Sequence, residues 1–236
     1  MSRDAARGPV LAVCGLAFEA TIAEGPDVRT LSRGGRSVAL AEAIEREIDG
    51  GVVALISFGV AGALTSTLRP GALIVADGIV GPAGRFPTDP TWSTAICAVL
   101  PEVSRASIAG AERIVATPAD KAALAAATGA ALVDMESHIA ARIAHDRGLP
   151  FVALRAVADP LRRSMPPAAL TAMKEDGRVD IAAVVRSILG RPQQLPELLR
   201  IGLDTRRALD ALRQGRLLLG SRLGYPDLDQ LPVDVI

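Results

Sequence analysis

Aromatic side chains are scarce: the chain of 236 residues holds one tryptophan, one tyrosine and four phenylalanines, so few rings exist on which a flat ligand could stack. It has no net charge either, since 26 basic residues balance 26 acidic ones. No global field therefore draws it toward nucleic acid or anionic lipid, although a local patch still could. Only two cysteines are present, Cys14 and Cys97, far apart and without metal-ligand spacing. They found no disulfide framework and no metal site, and a reducing, cytoplasmic setting is the simplest expectation. Met1 to Pro9 carries charges of both signs and no long apolar run before a cleavage site, so no secretion signal is expected. The uncharged run Gly50 to Leu68 is long enough to raise a membrane span. Its four glycines and its Thr65-Ser66-Thr67 ending suit a buried strand and a glycine turn instead.

What is present is apolar surface in a regular order. Half the residues are apolar, enough for one large core or two fused lobes. Continuous apolar runs read as strands at Val10 to Leu16, Val52 to Phe58, Ala72 to Val80, Leu132 to Asp134 and Phe151 to Asp159. Helical spacing predicts helices at Val38 to Ile48, Asp120 to Thr128 and Glu136 to Arg147, the last closed by Gly148 and Pro150. This alternation predicts an α/β fold around a largely parallel sheet. Gly81 to Pro90, rich in glycine and proline, reads as a loop. After Ile188 the pattern changes, and Pro196 to Gln214 reads as one helix with Gly215 beyond its end. Seven arginines between Arg191 and Arg222 make this a basic amphipathic element, with Leu198, Leu199, Leu203, Leu209 and Leu212 as its apolar side. It either packs on the core with a solvated arginine face or lies on a membrane surface.

Open α/β sheets bind ligands at the carboxyl ends of their strands, so polar residues ending apolar strands are the candidates for chemistry. Asp159 ends one strand and is held out of helical geometry by Pro160. Leu132 to Asp134 delivers Met135 and Glu136 at a helix start, where free N–H groups favour an ionised carboxylate able to accept two hydroxyls. Gly59, Val60 and Gly62 follow another strand, with glycines that admit a ligand close to the backbone. Glu19 lies just past the first strand. Each has an ordinary alternative: a turn, a helix cap, a glycine bend.

Leu132 to Asp159, with its Met135-Glu136 pair opening a helix and Arg155-x-x-x-Asp159 ending the next strand, resembles purine nucleoside phosphorylases and methylthioadenosine nucleosidases. Ser57 to Val75 resembles their glycine-rich strand and turn. Ser32 to Arg36, Ala119 to Glu136 and the Pro-Pro-Ala-Ala-Leu tail look like the hopanoid-associated nucleoside phosphorylases, assigned removal of adenine from adenosylhopane. The resemblance implies a three-layer phosphorylase/hydrolase-like fold with a central, largely parallel mixed sheet flanked by helices. It places a catalytic domain at 1–190 and a helical extension, packed on it, at 191–236. It also implies release of a purine base from a nucleoside, without metal or cofactor, and a homo-oligomer. Asp159 stands as the acid that protonates the leaving base, Glu136 as the ribose carboxylate and Met135 as the sugar's apolar wall.

The expected reaction is phosphorolysis with inorganic phosphate as co-substrate, and departures from the family pattern keep a hydrolytic nucleosidase of the methylthioadenosine/adenosylhomocysteine type, with water as nucleophile, as the alternative. Val60 replaces a serine common near the nucleophile, and Ser57 stands where some phosphorylases place an arginine. Glu19 falls one residue before the water-activating glutamate of hydrolytic relatives, a position held here by Ala20. Arg33, Gly34, Gly35 and Arg36 precede a helix and make either a phosphate cradle or an exposed basic turn. His138 and His145 have no metal-pair spacing and read as structural. Trp92 reads as a surface anchor or part of an apolar entrance, with the Gly81 to Trp92 loop and the tail helix framing an open mouth for a lipid-linked nucleoside. A binding protein that holds a nucleoside-lipid at the inner face of a membrane is the non-catalytic alternative.

Overall fold

In the computed structural model, residues 8–33, 37–100, 102–166 and 192–226 are described. The strands are β1 (Val10–Cys14), β2 (Val28–Ser32), β3 (Ala54–Ala63), β4 (Leu73–Gly81), β5 (Gly84–Pro87), β6 (Ser104–Gly110), β7 (Leu132–Asp134) and β8 (Phe151–Asp159). The helices are α1 (Ala17–Ala23), α2 (Ser37–Asp49), α3 (Pro90–Val99), α4 (Pro118–Thr128), α5 (Ser137–Asp146) and α6 (Leu195–Leu218).

Strands β1 and β8 are apolar at nearly every position because both of their faces are covered. Leu11 and Val13 point into one core layer with α2 and α5, while Val10, Ala12 and Cys14 point into a second layer with α1, α3 and α6. The period-2 alternation of a strand thus divides one sequence run between two cores. The result is helix, sheet, helix, the mixed α/β architecture expected from the sequence.

Among the described residues the strands run β2-β1-β3-β7-β6-β4-β5, and β8 bridges β3 and β4. Neighbours β1–β2, β1–β3, β3–β8, β4–β6 and β6–β7 are parallel. Pairs β3–β7, β4–β5 and β4–β8 are antiparallel. Because β3 pairs with both β7 and β8, the middle of the sheet closes into a ring. The acid-bearing cavity opens at the carboxyl ends of β3 and β8.

Helix boundaries follow local chemistry. Thr117 Oγ1 accepts from Asp120 N–H, Pro118 opens α4, and Gly129 closes it at φ 68°. Asp89 Oδ1 caps α3 by accepting from Trp92 N–H at 2.8 Å, with Pro90 in the first turn. Gly148, at φ 64°, follows α5 as the Gly148 and Pro150 signal requires.

Several expectations are corrected. The glycine segment Gly59 to Gly62 is not a turn; it continues β3 to Ala63, paired with β8 through Gly62. Gly81 to Pro90 is not an open loop but the turn and second strand of a β4–β5 hairpin. Trp92 is neither a surface anchor nor an entrance: it is fully buried, its Nε1 donating to Leu223 O and its ring meeting Tyr225 edge-on. Strands β2 and β6 went unread because they are short and carry exposed polar positions.

Helix α6 is longer than Pro196 to Gln214 and passes through Gly215. A Cβ there would lie 3.4 Å from Leu73 Cδ1, so the missing side chain lets the helix approach β4. Its buried face is Asp204, Ala208, Leu212 and Gly215, whereas Leu199 and Leu203 of the expected apolar side are 61% and 58% exposed. Buried Asp204 is neutralised by Arg163 at 2.6 Å and Arg207 at 2.9 Å. No described helix is long and apolar enough to cross a membrane, and Gly50 to Leu68 contains β3 instead. Cys14 and Cys97 are free thiols.

Candidate active site

A cavity of about 240 Å³ lies over the carboxyl ends of β3, β7 and β8. Its polar groups are Glu19, Asp134, Glu136, Asp159, Arg113 and Thr205. Leu16, Val60, Met135, Met165 and Ile201 supply most of its apolar wall. No aromatic residue lines it among the described residues, which leaves aliphatic groups and backbone to hold a flat ligand.

Glu19 sits in the first turn of α1 with a 1% exposed side chain. Its Oε2 accepts from Gly15 N–H at 2.9 Å and Leu16 N–H at 2.8 Å, and its Oε1 from Val60 N–H at 2.8 Å. These bonds tie the carboxylate to the end of β1 and to the interior of β3, and leave Oε1 lone-pair capacity. Burial pushes its carboxyl up, against the opposing pull of Arg155 and the three backbone donors. Gly59 explains how Glu19 fits: a Cβ there would lie 2.6 Å from the carboxylate carbon. The glycine thus makes room for a protein carboxylate rather than for a ligand, and Gly59 itself lies beneath Glu19.

Gly15 does the same for Glu136, whose Oε1 would lie 2.7 Å from an added Cβ. Glu136 opens α5 but does not cap it. The cap is Asp134, whose Oδ1 accepts from Ser137 N–H at 3.0 Å, and whose Oδ2 accepts from the Ser137 hydroxyl. Glu136 is thereby released toward the cavity. Burial pushes its carboxyl up to about 7, with Arg155 pulling it down and Asp134 and Glu19 pushing it further up. Near neutrality this group both donates and accepts, which suits vicinal hydroxyls.

Beneath these acids lies Arg155, fully buried in the middle of β8. Its Nε is 2.8 Å from Asp134 Oδ2, and one terminal nitrogen donates to Ser57 Oγ at 2.5 Å and to Glu136 Oε2 at 3.3 Å. The other donates to Val60 O at 3.3 Å. The quoted Arg155-x-x-x-Asp159 spacing contained this residue, but its counterions come from β7 and α5, so no local signal gave its role.

Asp159 ends β8 as expected, with one oxygen engaged and the other buried without a partner among the described residues. Oδ2 is 2.7 Å from Lys121 Nζ, and Oδ1 has no hydrogen-bond partner among the described residues. Burial pushes its carboxyl up, while the bond and charge of Lys121, then Arg163, pull it down. Gly62 lies close by, since a Cβ there would stand 3.6 Å from Asp159 Oδ2.

The cavity therefore gathers Glu19, Met135, Glu136, Val60, Gly62 and Asp159, which span 140 positions of sequence from 19 to 159. Arg33 is exposed and is not among the lining residues; Gly34, Gly35 and Arg36 lie outside the described residues. Ala20 does not line the cavity, whereas Glu19 does. The hairpin region after Gly81 lines a separate cavity with His138, so only α6, through Ile201 and Thr205, borders the acid-lined one. Sequence reasoning missed Arg155, Lys121, Arg113 and Met165.

The chain matches the Phosphorylase superfamily over residues 9–190 and belongs to that family. The nucleoside phosphorylase or nucleosidase kind of enzyme expected from the sequence stands with it. Among solved structures the chain is similar to a Helicobacter pylori 5′-methylthioadenosine/S-adenosyl homocysteine nucleosidase at 14% identity and a TM-score of 0.64, covering 89% of this chain and 97% of that one. It is similar to Streptococcus pyogenes S-adenosylhomocysteine nucleosidase in complex with 5-methylthiotubericidin at 16% identity and a TM-score of 0.60, covering 89% and 96%. It is also similar to Helicobacter pylori futalosine hydrolase at 18% identity and a TM-score of 0.58, covering 64% and 88%. No curated protein sequence matches it.

Proposed function

We propose that this protein releases the base from a purine nucleoside by hydrolysis of the N-glycosidic bond. The observation that carries the reading is the convergence of three unlike carboxyl groups, Glu19, Glu136 and Asp159, in one cavity. Asp159, whose carboxyl burial pushes up, donates a proton to N7 of the base, so that the base leaves as a neutral molecule. Glu136 binds the ribose hydroxyls and stabilises positive charge growing on the sugar, with Met135 against the sugar face. Glu19 takes a proton from the attacking water through Oε1, its other positions being fixed by backbone donors. A buried carboxylate in that place opposes a phosphate dianion, which supports water as nucleophile.

Phosphorolysis is the second reading, favoured by Arg113, a basic side chain lining the cavity with no ion pair among the described residues. The apolar wall of Leu16, Met165 and Ile201 supports a substrate with an apolar 5′ substituent, and adenosylhopane is the substrate we propose from the hopanoid-associated resemblance. Exposed Leu199, Leu203 and Leu217 on α6, beside Arg200, Arg206 and Arg213, support contact with the membrane that would carry such a lipid. Adenosine, methylthioadenosine and adenosylhopane in liposomes, each incubated with and without phosphate, test these readings together. Free adenine with an unphosphorylated sugar is expected in both conditions. A 1-phosphorylated sugar that forms only with phosphate overturns the hydrolytic reading in favour of the second, and no base release from any substrate overturns the function.

A further inference from the structure

Lys121 is a fully buried lysine in the second turn of α4, a position that pattern alone reads as solvated. All three of its N–H donors are used. Nζ lies 2.7 Å from Asp159 Oδ2, 3.0 Å from Pro160 O and 3.0 Å from Arg163 O. Burying an ammonium without such partners costs several kcal/mol, about the magnitude that keeps lysine at surfaces. Here the cost is met by gripping the strand end that carries Asp159 and the turn after it. The grip is one-sided. It occupies Oδ2 and leaves Oδ1 buried and unpartnered among the described residues.

We propose that Lys121 is the positioning residue of the proton donor: it locks Asp159 in place through Oδ2, and its ammonium stabilises the carboxylate left behind. The inference rests on the proposed function. In the step itself the O–H bond of the Asp159 carboxyl breaks, N7 of the base gains the proton, and the electron pair of the N-glycosidic bond moves to the base. Asp159 becomes a carboxylate beside the Lys121 ammonium. A positive charge fixed where negative charge develops acts chiefly in the transition state. Burial pushes the Asp159 carboxyl up, and the bond and charge of Lys121 pull it down.

The other charged groups near Asp159 are few. Arg163, after β8, adds a weaker pull but is itself paired with Asp204 and Glu197 of α6. Across the cavity Glu19 of α1, Asp134 and Glu136 before α5, and Arg113 after β6 share the lining. Lys121 is the group bonded to the acid.

The test is Lys121→Met, which keeps the length and removes the charge, read as a pH profile of kcat/KM with adenosine and as the titration of the Asp159 carboxyl by carbon NMR in the substrate-free protein. The expected result is an alkaline limb moved upward by about one pH unit, kcat lowered roughly tenfold or more with KM little changed, and an Asp159 titration moved in the same direction. Lys121→Ala with added ethylammonium is expected to regain much of the lost rate, as a protonated amine refills the position. Lys121→Gln, which keeps an N–H toward the carbonyls, serves if neither variant folds. An unmoved alkaline limb and an unmoved Asp159 titration in a folded variant overturn the proposal. So does a chain that folds with none of the three substitutions, which assigns Lys121 to the fold alone. Because the titration needs no substrate, it separates failure of this role from failure of the nucleosidase reading, which wild-type base release decides.

Discussion

At the β7–α5 end of the cavity, three carboxylates, Asp134, Glu136 and Glu19, surround the single guanidinium of Arg155. At the β8 end, Asp159 alone meets the single ammonium of Lys121. The first arrangement leaves more negative charge than one cation satisfies, and the excess is resolved by Glu136 titrating near 7. The second is one to one, and burial and attraction oppose each other on a single group. A shared buried cation therefore suits binding of hydroxyls that both give and take hydrogen bonds. A private one suits a proton that must be held and then released.

The comparison is broken most directly at its shared cation. Arg155→Met leaves Asp134 and Glu136 facing each other without compensation, and a loss of about 3–5 kcal/mol in unfolding free energy is expected by denaturant titration. A loss under about 1 kcal/mol would show that the acids neutralise themselves and that Arg155 is not their counterion. At the private end, Asp159→Asn is expected to keep the fold and lower turnover by roughly 100-fold or more, seen in steady-state base release. Unchanged turnover removes the acid assignment. Glu136→Gln is expected to lower kcat/KM by about 10- to 100-fold through both kcat and KM, because the hydroxyl contacts hold the bound substrate and strengthen as positive charge grows on the sugar. Normal kinetics would reduce Glu136 to a filler of the space above Gly15.

The smallest effect is on stability against pH. The folded-state value of Glu136, about 7, lies above its ordinary 4.5, so the folded chain holds a proton that the unfolded chain releases. The stability this contributes is complete below about 4.5 and is lost as pH rises through about 7. Asp159, also pushed up by burial, has the same sign. A thermal melting temperature that falls over that window in the wild type, and falls less in Glu136→Gln, is the expected outcome. Equal pH dependence in the two proteins would place the titration elsewhere.

Legibility in the sequence followed the range of the interactions. Asp159, Met135 and Glu136 were readable because strand ends and helix starts are local features with known directions. Core strands β1 and β8 were readable because burial on both faces gives an unbroken apolar run. Arg155 stood in plain view inside β8, yet its role depends on Asp134 and Glu136, which a different strand and helix deliver. Lys121 lies in an alanine-rich helix where a charged residue reads as solvated, and only Asp159, 38 positions later, gives it a reason to be buried. Trp92 was misread because its partners, Leu223 and Tyr225, lie more than 130 positions away. The glycines after Phe58 were seen as permissive, but what they permit is a carboxylate arriving from α1.

The closure of the sheet through β3 has a further outcome for motion. A strand flanked on both sides has no open row of donors and acceptors, and here that strand runs directly under the cavity. The only unpaired rows among the described strands belong to β2 and β5, at the far ends of the sheet order. Amide protons of β3 and β8 should thus exchange with solvent last, at the rate of global opening, while those of β2 and β5 exchange through local fraying. The floor of the cavity is then the stiffest part of the molecule, and adaptation to different ligands falls to its rim: the segment from Arg113 to Val115, Met165, and the turn of α6 that carries Ile201 and Thr205.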